Sequence, residues 1–321
     1  MIHVVKVSVI IPTYNRAHVV HRSIESALSQ TCKDLEVLIV DDGSTDETFD
    51  AVKPFFRFPQ VRYLRHETNK GHQAARNTGI KNARGDYVAF LDSDDTWIPQ
   101  KTELQLDAIR KKGADYVVLS WFVEQRGGSE TRRFEREYEG CVYQEMLASD
   151  GPSCVSMLVA REGLMRIGLL DERVLALADW DTCISLSRLF KFTTVNQTCF
   201  NYYKDEPSSV TTSMLKKAFA YQYIVEKNQD EMLRVIGRSG LATHFKNIAL
   251  ISDDGGDFNR CRTYMLKAFR EDRRNPTIFL FALWTLLGGW VFHLRKPVGA
   301  IQKRIASKLA RLEYHSRHSL Q

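Results

Sequence analysis

The chain has 321 residues, enough for one large domain or two ordinary ones. Its composition, 44% hydrophobic and 26% charged residues, is that of a soluble globular protein. The formal net charge of +6 lies in the last segment, because residues 295–321 contain seven Lys and Arg against one acid and the rest of the chain is neutral. A neutral main body offers no basic groove, so we expect no nucleic-acid partner.

Neither cysteines nor histidines are spaced as metal ligands. The six cysteines include no Cys-x-x-Cys pair, which predicts neither a zinc site nor a disulfide framework but reduced, mostly buried thiols of a cytosolic protein. His21, His66 and His72 follow no ligand spacing, and most of them are expected at the surface or in loops. The apolar residues 7–11 stop at Pro12 and lack the length and cleavage site of a signal peptide, so we expect the first domain to stay in the cytoplasm.

The first 125 residues alternate short β-branched runs with helical patterns, which is typical of a parallel sheet flanked by helices. Strands are predicted at residues 7–11, 35–40, 61–64, 87–91 and 116–119. Apolar residues at i, i+4, i+7 and i+8 from Val20 predict an amphipathic helix after the first strand. Small residues around Gly79 would let a second helix lie close to the sheet, and Pro99 suits the first turn of a third.

The second part of the chain is less regular and then becomes helical. Another strand is predicted at residues 157–160, and helical character dominates after about residue 213. We therefore predict one α/β domain over residues 1–213, with a nucleotide half to about residue 125 and an acceptor half over about 126–213. A helical extension follows over residues 214–321.

The extension carries an apolar segment and a basic one. Residues 277–294 contain no Lys, Arg, Asp or Glu, and as a helix would span about 27 Å, just short of the ~30 Å hydrocarbon core. Residues 297–314 predict a basic amphipathic helix, which suits an anionic membrane surface. Interfacial association is favoured, while a buried hairpin and a full span stay open. The predicted location is cytoplasmic and peripheral, at the inner face of the cytoplasmic membrane.

An Asp-x-Asp sequence follows the fourth predicted strand. Asp92 and Asp94 are two residues apart on an extended segment, so both carboxylates can point at one place beyond the strand. Mg²⁺ and Mn²⁺ are typically held by one or two carboxylates together with substrate phosphates and water. The alternative is a turn that caps the following helix, and the Asp-x-Asp sequence alone does not decide between them.

Four motifs decide the interpretation: VSVIIPTYNR at 7–16, VLIVDDGSTDET at 37–48, NKGHQAARNTGI at 69–80 and GDYVAFLDSDD at 85–95. Over roughly residues 6–210, their order and spacing resemble those of family 2 glycosyltransferases of the GT-A fold. The resemblance implies a Rossmann-like, mostly parallel sheet, a nucleotide-sugar donor, a divalent ion and transfer with inversion. It also implies Asp94 as the principal metal ligand of the DxD motif. Seven residues are assigned to the donor: Pro12, Thr13, Tyr14, Asp41, Asp42, Arg76 and Asp92.

The resemblance also distinguishes among these donor residues. Asp42 would accept from a ring N–H of the base, with Asp41 as the adjacent candidate. Arg76 would face the diphosphate, because a guanidinium matches phosphate oxygens in a bidentate way. Asp92 would contact the ribose or the metal.

The general base is expected downstream, because one carboxylate near the acceptor hydroxyl suffices for a single displacement. Family members commonly place two acids before a Trp, with the second acid as the base. Asp179-Trp180 matches that second position, so the resemblance implies Asp179 as the general base. Ala178 stands where the first acid is common, so Asp181 stays open as the alternative base.

The predicted activity is inverting transfer of a sugar from a nucleotide diphosphate sugar to a hydroxyl of a glycan or lipid-linked acceptor, in cell-envelope polysaccharide biosynthesis. UDP is the expected nucleotide, with dTDP and GDP open, and the acceptor is expected near residues 150–156 and after Phe200. The alternative is a catalytically degenerate, nucleotide-binding GT-A protein tethered to a membrane. A nucleotidyltransferase or nicotinamide dehydrogenase is disfavoured, because residues 12–16 are no glycine-rich phosphate loop.

Overall fold

The computed structural model describes residues 6–204 and 213–287, and in this part of the chain nine strands form one sheet. The strands are β1 (Val7–Thr13), β2 (Leu35–Asp41), β3 (Val61–Arg65), β4 (Tyr87–Phe90), β5 (Thr96–Trp97), β6 (Tyr116–Arg126), β7 (Ser129–Phe134), β8 (Leu158–Ala160) and β9 (Lys191–Tyr203). Their order is β3-β2-β1-β4-β8-β6-β9-β5, with β7 paired to β6. Every strand predicted from the sequence is present, and the one predicted at residues 116–119 continues to Arg126.

The first four strands are parallel, which brings their carboxyl ends to one edge. Thr13 pairs with Asp41 across β1 and β2, and Ile10 pairs with Phe90 across β1 and β4. β8 runs antiparallel to β4, with Leu158 opposite Ala89, so the segment that enters β8 arrives at the edge where β4 ends. Two stretches of sequence far apart in the chain therefore meet at one edge of the sheet.

Helices connect and cover the strands. They are α1 (Val20–Leu28), α2 (Thr48–Val52), α3 (His72–Asn82), α4 (Lys101–Lys112), α5 (Tyr143–Ala148), α6 (Arg161–Arg166), α7 (Ala178–Ser187), α8 (Met214–Lys227), α9 (Gln229–Asp254), α10 (Phe258–Glu271) and α11 (Pro276–Leu287). The small residues around Gly79 let α3 lie close to the sheet, as predicted, because a Cβ added at Gly79 would lie 2.4 Å from Cγ2 of Ile10 on β1. This close approach fixes the height of α3 above the sheet.

The chain divides into two compact units, Met1–Lys227 and Asn228–Gln321. The first contains the sheet, and α8 groups with it although the predicted domain boundary at residue 213 precedes this helix. Its core is built on β1 and β2, whose residues are all buried. The six cysteines are free thiols, four of them buried.

The second unit contains α9, α10 and α11. On α11 the buried positions are Ile278, Ala282 and Thr285, and the opposite face exposes apolar side chains. This exposed apolar face consists of Phe279, Leu280, Leu283, Leu286 and Leu287. Within residues 6–204 and 213–287, no helix combines the length and apolar character that crossing a membrane requires. The remainder of the predicted apolar segment, residues 288–294, and the predicted basic helix over 297–314 lie outside the described residues.

Candidate active site

The predicted nucleoside residues lie where β1 ends. Pro12 and Thr13 are buried, while Tyr14 is 41% exposed. Oγ1 of Thr13 is buried and has no hydrogen-bond partner among the described residues. Asn15 has a positive φ of 52°, and its Oδ1 accepts from the Thr45 N–H at 2.8 Å. The loops after β1 and β2 are thus held together beside the exposed ring of Tyr14.

Asp41 and Asp42 follow each other at the end of β2, and both are buried. Asp41 accepts from the Ser44 N–H at 2.8 Å and from the Tyr63 hydroxyl. Burial, together with this contact to Asp41, raises the pKa of Tyr63, so the phenol stays a donor at neutral pH. Both oxygens of Asp41 are therefore used inside the protein, and its predicted contact with the donor stays a prediction.

Asp42 holds the segment that leads into α3. Its Oδ1 accepts from the Lys70 N–H at 2.9 Å and lies 2.6 Å from Nδ1 of His66, and its Oδ2 accepts from the Gly71 N–H at 2.8 Å. A carboxylate has about four acceptor positions, so about one remains for a base edge. His66 lies in the loop after β3, as predicted, but it is buried there and also meets Thr78 at 2.8 Å.

Arg76 connects two carboxylates that are far apart in the sequence. Its Nη2 donates to Oδ1 of Asp92 at 2.9 Å, and its Nη1 donates to Oδ1 of Asp179 at 3.2 Å. The Arg76 side chain is 1% exposed and its Cζ lies 5.1 Å from the ring centroid of Phe90. The carboxylate side chains are 30% exposed for Asp92 and 34% for Asp179. A buried cation thus lies beneath two acids that reach the surface.

The charges of this group support one another. Burial disfavours the charged form of Asp92, but the Arg76 guanidinium and the hydrogen bond from His72, at 3.2 Å, hold the pKa of the carboxyl well below its ordinary value. Burial likewise disfavours charge on Arg76, and the carboxylates of Asp92 and Asp179 outweigh it and raise the pKa of the guanidinium. Arg76 and Asp92 are therefore both charged at neutral pH.

The three acids after β4 have different surroundings. Asp94 is partly exposed, and its Oδ2 lies 3.9 Å from Nη2 of Arg16. Asp95 is fully buried; its Oδ1 accepts from the Tyr203 N–H at 3.0 Å, and its Oδ2 has no partner within the described part of the chain. Burial, with the neighbouring charges of Asp92 and Asp94, raises the pKa of Asp95 well above its ordinary value. Asp95 thus belongs to the interior, whereas the side chains of Asp92 and Asp94 are partly exposed.

The residues that could hold a divalent ion are few. In the ranges that the structure covers, no group of three or more His, Cys, Asp or Glu side chains converges as a metal site. Asp92 and Asp94 supply hard carboxylate oxygens at the rim, which is a typical protein contribution to Mg²⁺ when substrate phosphates complete the shell. The donor set therefore fits a metal that binds together with a nucleotide.

Asp179 and Asp181 lie in the first turn of α7 and have different partners. Oδ2 of Asp179 accepts from the Ser153 hydroxyl at 3.0 Å. Asp181 is buried, and both of its oxygens lie 2.9 Å from Nζ of Lys227, which also pairs with Asp171 at 3.0 Å. Asp179 is thus linked to Asp92 through Arg76, whereas Asp181 forms an ion pair with Lys227 inside the protein.

The chain is similar in sequence to known glycosyltransferases. Glycosyl transferase family 2 matches residues 8–166. The putative teichuronic acid biosynthesis glycosyltransferase TuaG of Bacillus subtilis is 30% identical over 226 residues, which is 68% of this chain and 88% of TuaG. The chain belongs to glycosyltransferase family 2.

Further relatives of this family 2 glycosyltransferase chain agree. The UDP-Glc:alpha-D-GlcNAc-diphosphoundecaprenol beta-1,3-glucosyltransferase WfaP of Escherichia coli is 29% identical over 76% of this chain and 90% of WfaP. The crystal structure of S. aureus TarS 1–349 in complex with UDP-GlcNAc superposes with a TM-score of 0.69 at 18% identity, over 89% of each chain. The predicted GT-A fold is confirmed. The first curated relatives are longer proteins, and the chain spans 17% of their length.

The family 2 site includes residues that the sequence did not single out. Ser153 and Tyr63 contact the predicted acids Asp179 and Asp41 from positions 26 and 22 residues away, which no local motif indicates. His72 lies within the motif at 69–80, but its contact with Asp92, 20 residues away, is not predicted by that motif. A cavity of about 490 Å³ in the first unit is lined by Lys227 and by Asp181, the alternative base, among others, but by neither Asp179 nor any residue predicted for the donor.

Proposed function

We propose that this family 2 glycosyltransferase chain transfers a sugar, with inversion, from a UDP-sugar to a hydroxyl of a glycan or lipid-linked acceptor. The observation that carries the proposal is the Asp92–Arg76–Asp179 group, which joins the expected donor carboxylate and the expected base at one edge of the sheet. The names of similar proteins support the substrates: TarS was crystallised with UDP and with UDP-GlcNAc, and WfaP is named for UDP-Glc and a diphosphoundecaprenol acceptor. The cell-envelope polysaccharide context follows from the same names.

The donor lies along the rim formed by the ends of β1, β2 and β4. Tyr14 and the buried Pro12–Thr13 segment border the nucleoside. There, Oγ1 of Thr13 has no hydrogen-bond partner among the described residues. Asp42 keeps about one acceptor position for a ring N–H, which favours a base that donates there. Asp92 and Asp94 would hold Mg²⁺ or Mn²⁺ with the diphosphate; the ion, when bound, would offset negative charge on the departing nucleotide.

The chemical step uses Asp179 as general base. The hydroxyl oxygen of the acceptor attacks the anomeric carbon, the bond from that carbon to the diphosphate oxygen breaks, and the hydroxyl proton passes to a carboxylate oxygen of Asp179. One oxygen of Asp179 is oriented by Arg76 and the other by Ser153, and each keeps a lone pair for that proton. Ser153 lies within residues 150–156, the segment expected beside the acceptor.

Binding and turnover test the proposal separately. A panel of UDP-, dTDP- and GDP-sugars is screened with Mn²⁺ by thermal shift, since a ligand of the native state raises the midpoint. We expect the largest shift with a UDP-sugar, and its loss in Asp94→Ala. Transfer of a labelled sugar to a lipid-linked or glycan acceptor is then measured with the binding donor. No shift with any donor contradicts the proposal. The alternative, a catalytically degenerate protein, is suggested by Ala178 in place of an acid. It requires a thermal shift with a nucleotide sugar but no sugar transfer.

We propose peripheral attachment of this chain to the cytoplasmic face of the membrane. Two exposed arginines, Arg273 and Arg274, precede α11 with its exposed apolar face, and the net positive charge of the chain follows in residues 295–321. Apolar side chains with basic neighbours suit an anionic bilayer surface. Co-sedimentation of the full chain with vesicles that contain phosphatidylglycerol should exceed that with phosphatidylcholine alone. Equal recovery in both supernatants would contradict attachment.

A further inference from the structure

Arg76 occupies an unusual position for a residue expected to grip a ligand. Its side chain is 1% exposed, whereas the two carboxylates above it are each about one-third exposed at 30% and 34%. A substrate that enters the rim meets Asp92 and Asp179 before it meets the guanidinium. Both terminal nitrogens of Arg76 already donate to those carboxylates.

The backbone and ring that support Arg76 are fixed. α3 approaches β1 so closely that a Cβ at Gly79 would overlap Ile10, and the ring of Phe90 lies 5.1 Å below the guanidinium. Nε of Arg76 is buried without a hydrogen-bond partner among the described residues. Buried polar atoms normally have a hydrogen-bond partner, so Arg76 forgoes one hydrogen bond, that of Nε, in this position. Each of its two terminal nitrogens donates one hydrogen bond, and both of these bonds go to the acids.

We propose that Arg76 is a positioning residue, which aims the carboxylate of Asp179 and ties it to Asp92 without contacting the diphosphate itself. This inference rests on the proposed function and revises the expectation that Arg76 faces phosphate. A guanidinium has a rigid fork, so one side chain can hold two carboxylates at a set separation. The base is thereby kept at a constant place relative to the donor carboxylate. Without the cation the two acids would repel each other and separate.

The test uses Arg76→Lys, because an ammonium keeps the buried positive charge but reaches one carboxylate at a time. The dissociation constants of UDP and of uridine are measured by calorimetry with Mn²⁺, and kcat and KM are measured with the binding donor. We expect kcat to fall at least tenfold while both dissociation constants stay within about threefold of wild type. A diphosphate contact would instead weaken UDP at least tenfold and leave uridine unchanged.

A double variant separates positioning from general loss of structure. Residues that act as a unit are non-additive, so Arg76→Lys should change the residual turnover of Asp179→Asn by less than twofold. Ser153→Ala is the matched control on the other oxygen of Asp179, with a smaller fall in kcat. Loss of UDP affinity alone, an unchanged kcat, or an additive effect in the Asp179→Asn background each overturns the proposal. A wild-type chain that binds UDP-sugars yet transfers none refutes the proposed function first, whereas normal turnover in Arg76→Lys refutes only this inference.

Discussion

The lysine buried at the start of α4 makes stability depend on pH in a way that can be measured. Lys101 is completely buried; its Nζ lies 4.2 Å from the ring centroid of Trp97 and donates to Oε1 of Gln105 at 2.8 Å. Burial lowers the pKa of Lys101 to about 7, with the opposing effect of Cys199 too small to compensate. In the unfolded chain the pKa of a lysine is about 10.4.

The direction of the effect follows from the two pKa values. Between about pH 7 and pH 10 the unfolded chain keeps the lysine proton and the native protein loses it, so the free energy of unfolding rises with pH. Below about pH 7 both states are protonated, and the native state bears the full cost of the buried charge. At about 1.4 kcal/mol per proton per pH unit, with the native lysine half protonated at pH 7, the rise from pH 7 to pH 9 is about 2 kcal/mol.

We therefore expect Lys101→Met to remove this rise. Urea denaturation followed by circular dichroism at pH 7 and pH 9 gives the unfolding free energy of both proteins. Relative to the variant, the wild type should gain about 2 kcal/mol between the two pH values. Lys111→Met, at an exposed position of the same helix, should show no such difference. If the gap between wild type and Lys101→Met is the same at both pH values, Lys101 is charged in the native protein and the reasoning is wrong.

Three further outcomes are expected. Asp179→Asn should lower kcat about 10²–10⁴-fold at a near-normal melting temperature. Asp181→Asn removes the carboxylate that pairs with Lys227, so it should lower the melting temperature but keep the transfer rate per folded molecule. The reverse result would make Asp181 the base. Gly79→Ala should destabilise by about 1–3 kcal/mol in urea, and an unchanged midpoint would contradict the close approach of α3 to β1. Leu283→Gln should weaken binding to phosphatidylglycerol vesicles about tenfold, because the membrane contact loses the apolar area of one leucine. The control Leu233→Gln, on α9, should weaken it less; equal effects would show that α11 does not contact the membrane.

Much of the fold follows from local patterns. Short β-branched runs predict the parallel strands, and the polar residues that follow them lie at one edge because parallel strands end together. The burial of α3 against β1 is likewise readable from the small residue at Gly79. Local patterns do not predict where β6 ends or that β5 pairs with β9, because both depend on partner strands far along the chain.

The site is only partly predictable for a related reason. Local motifs indicate which acids gather at the rim, but they do not tell which of them the protein uses for itself. The contact of Arg76 with Asp179 joins positions 103 residues apart, and the pairing of Asp181 with Lys227 joins positions 46 apart. Such pairs depend on how the helices pack on the sheet. The burial of Asp95 beside two more exposed acids has the same origin.

The antiparallel entry of β8 beside β4 has a consequence for redesign. The loop before β8 reaches the rim from the opposite chain direction, so residues can be inserted or removed there without shifting the register of β1, β2 or β4. Lengthening a surface loop costs conformational entropy only slowly, by about 0.6 kcal/mol per doubling. Varying the loop length over residues 149–152 would therefore test whether this segment contacts the acceptor, as proposed, while the register of β1, β2 and β4 is kept.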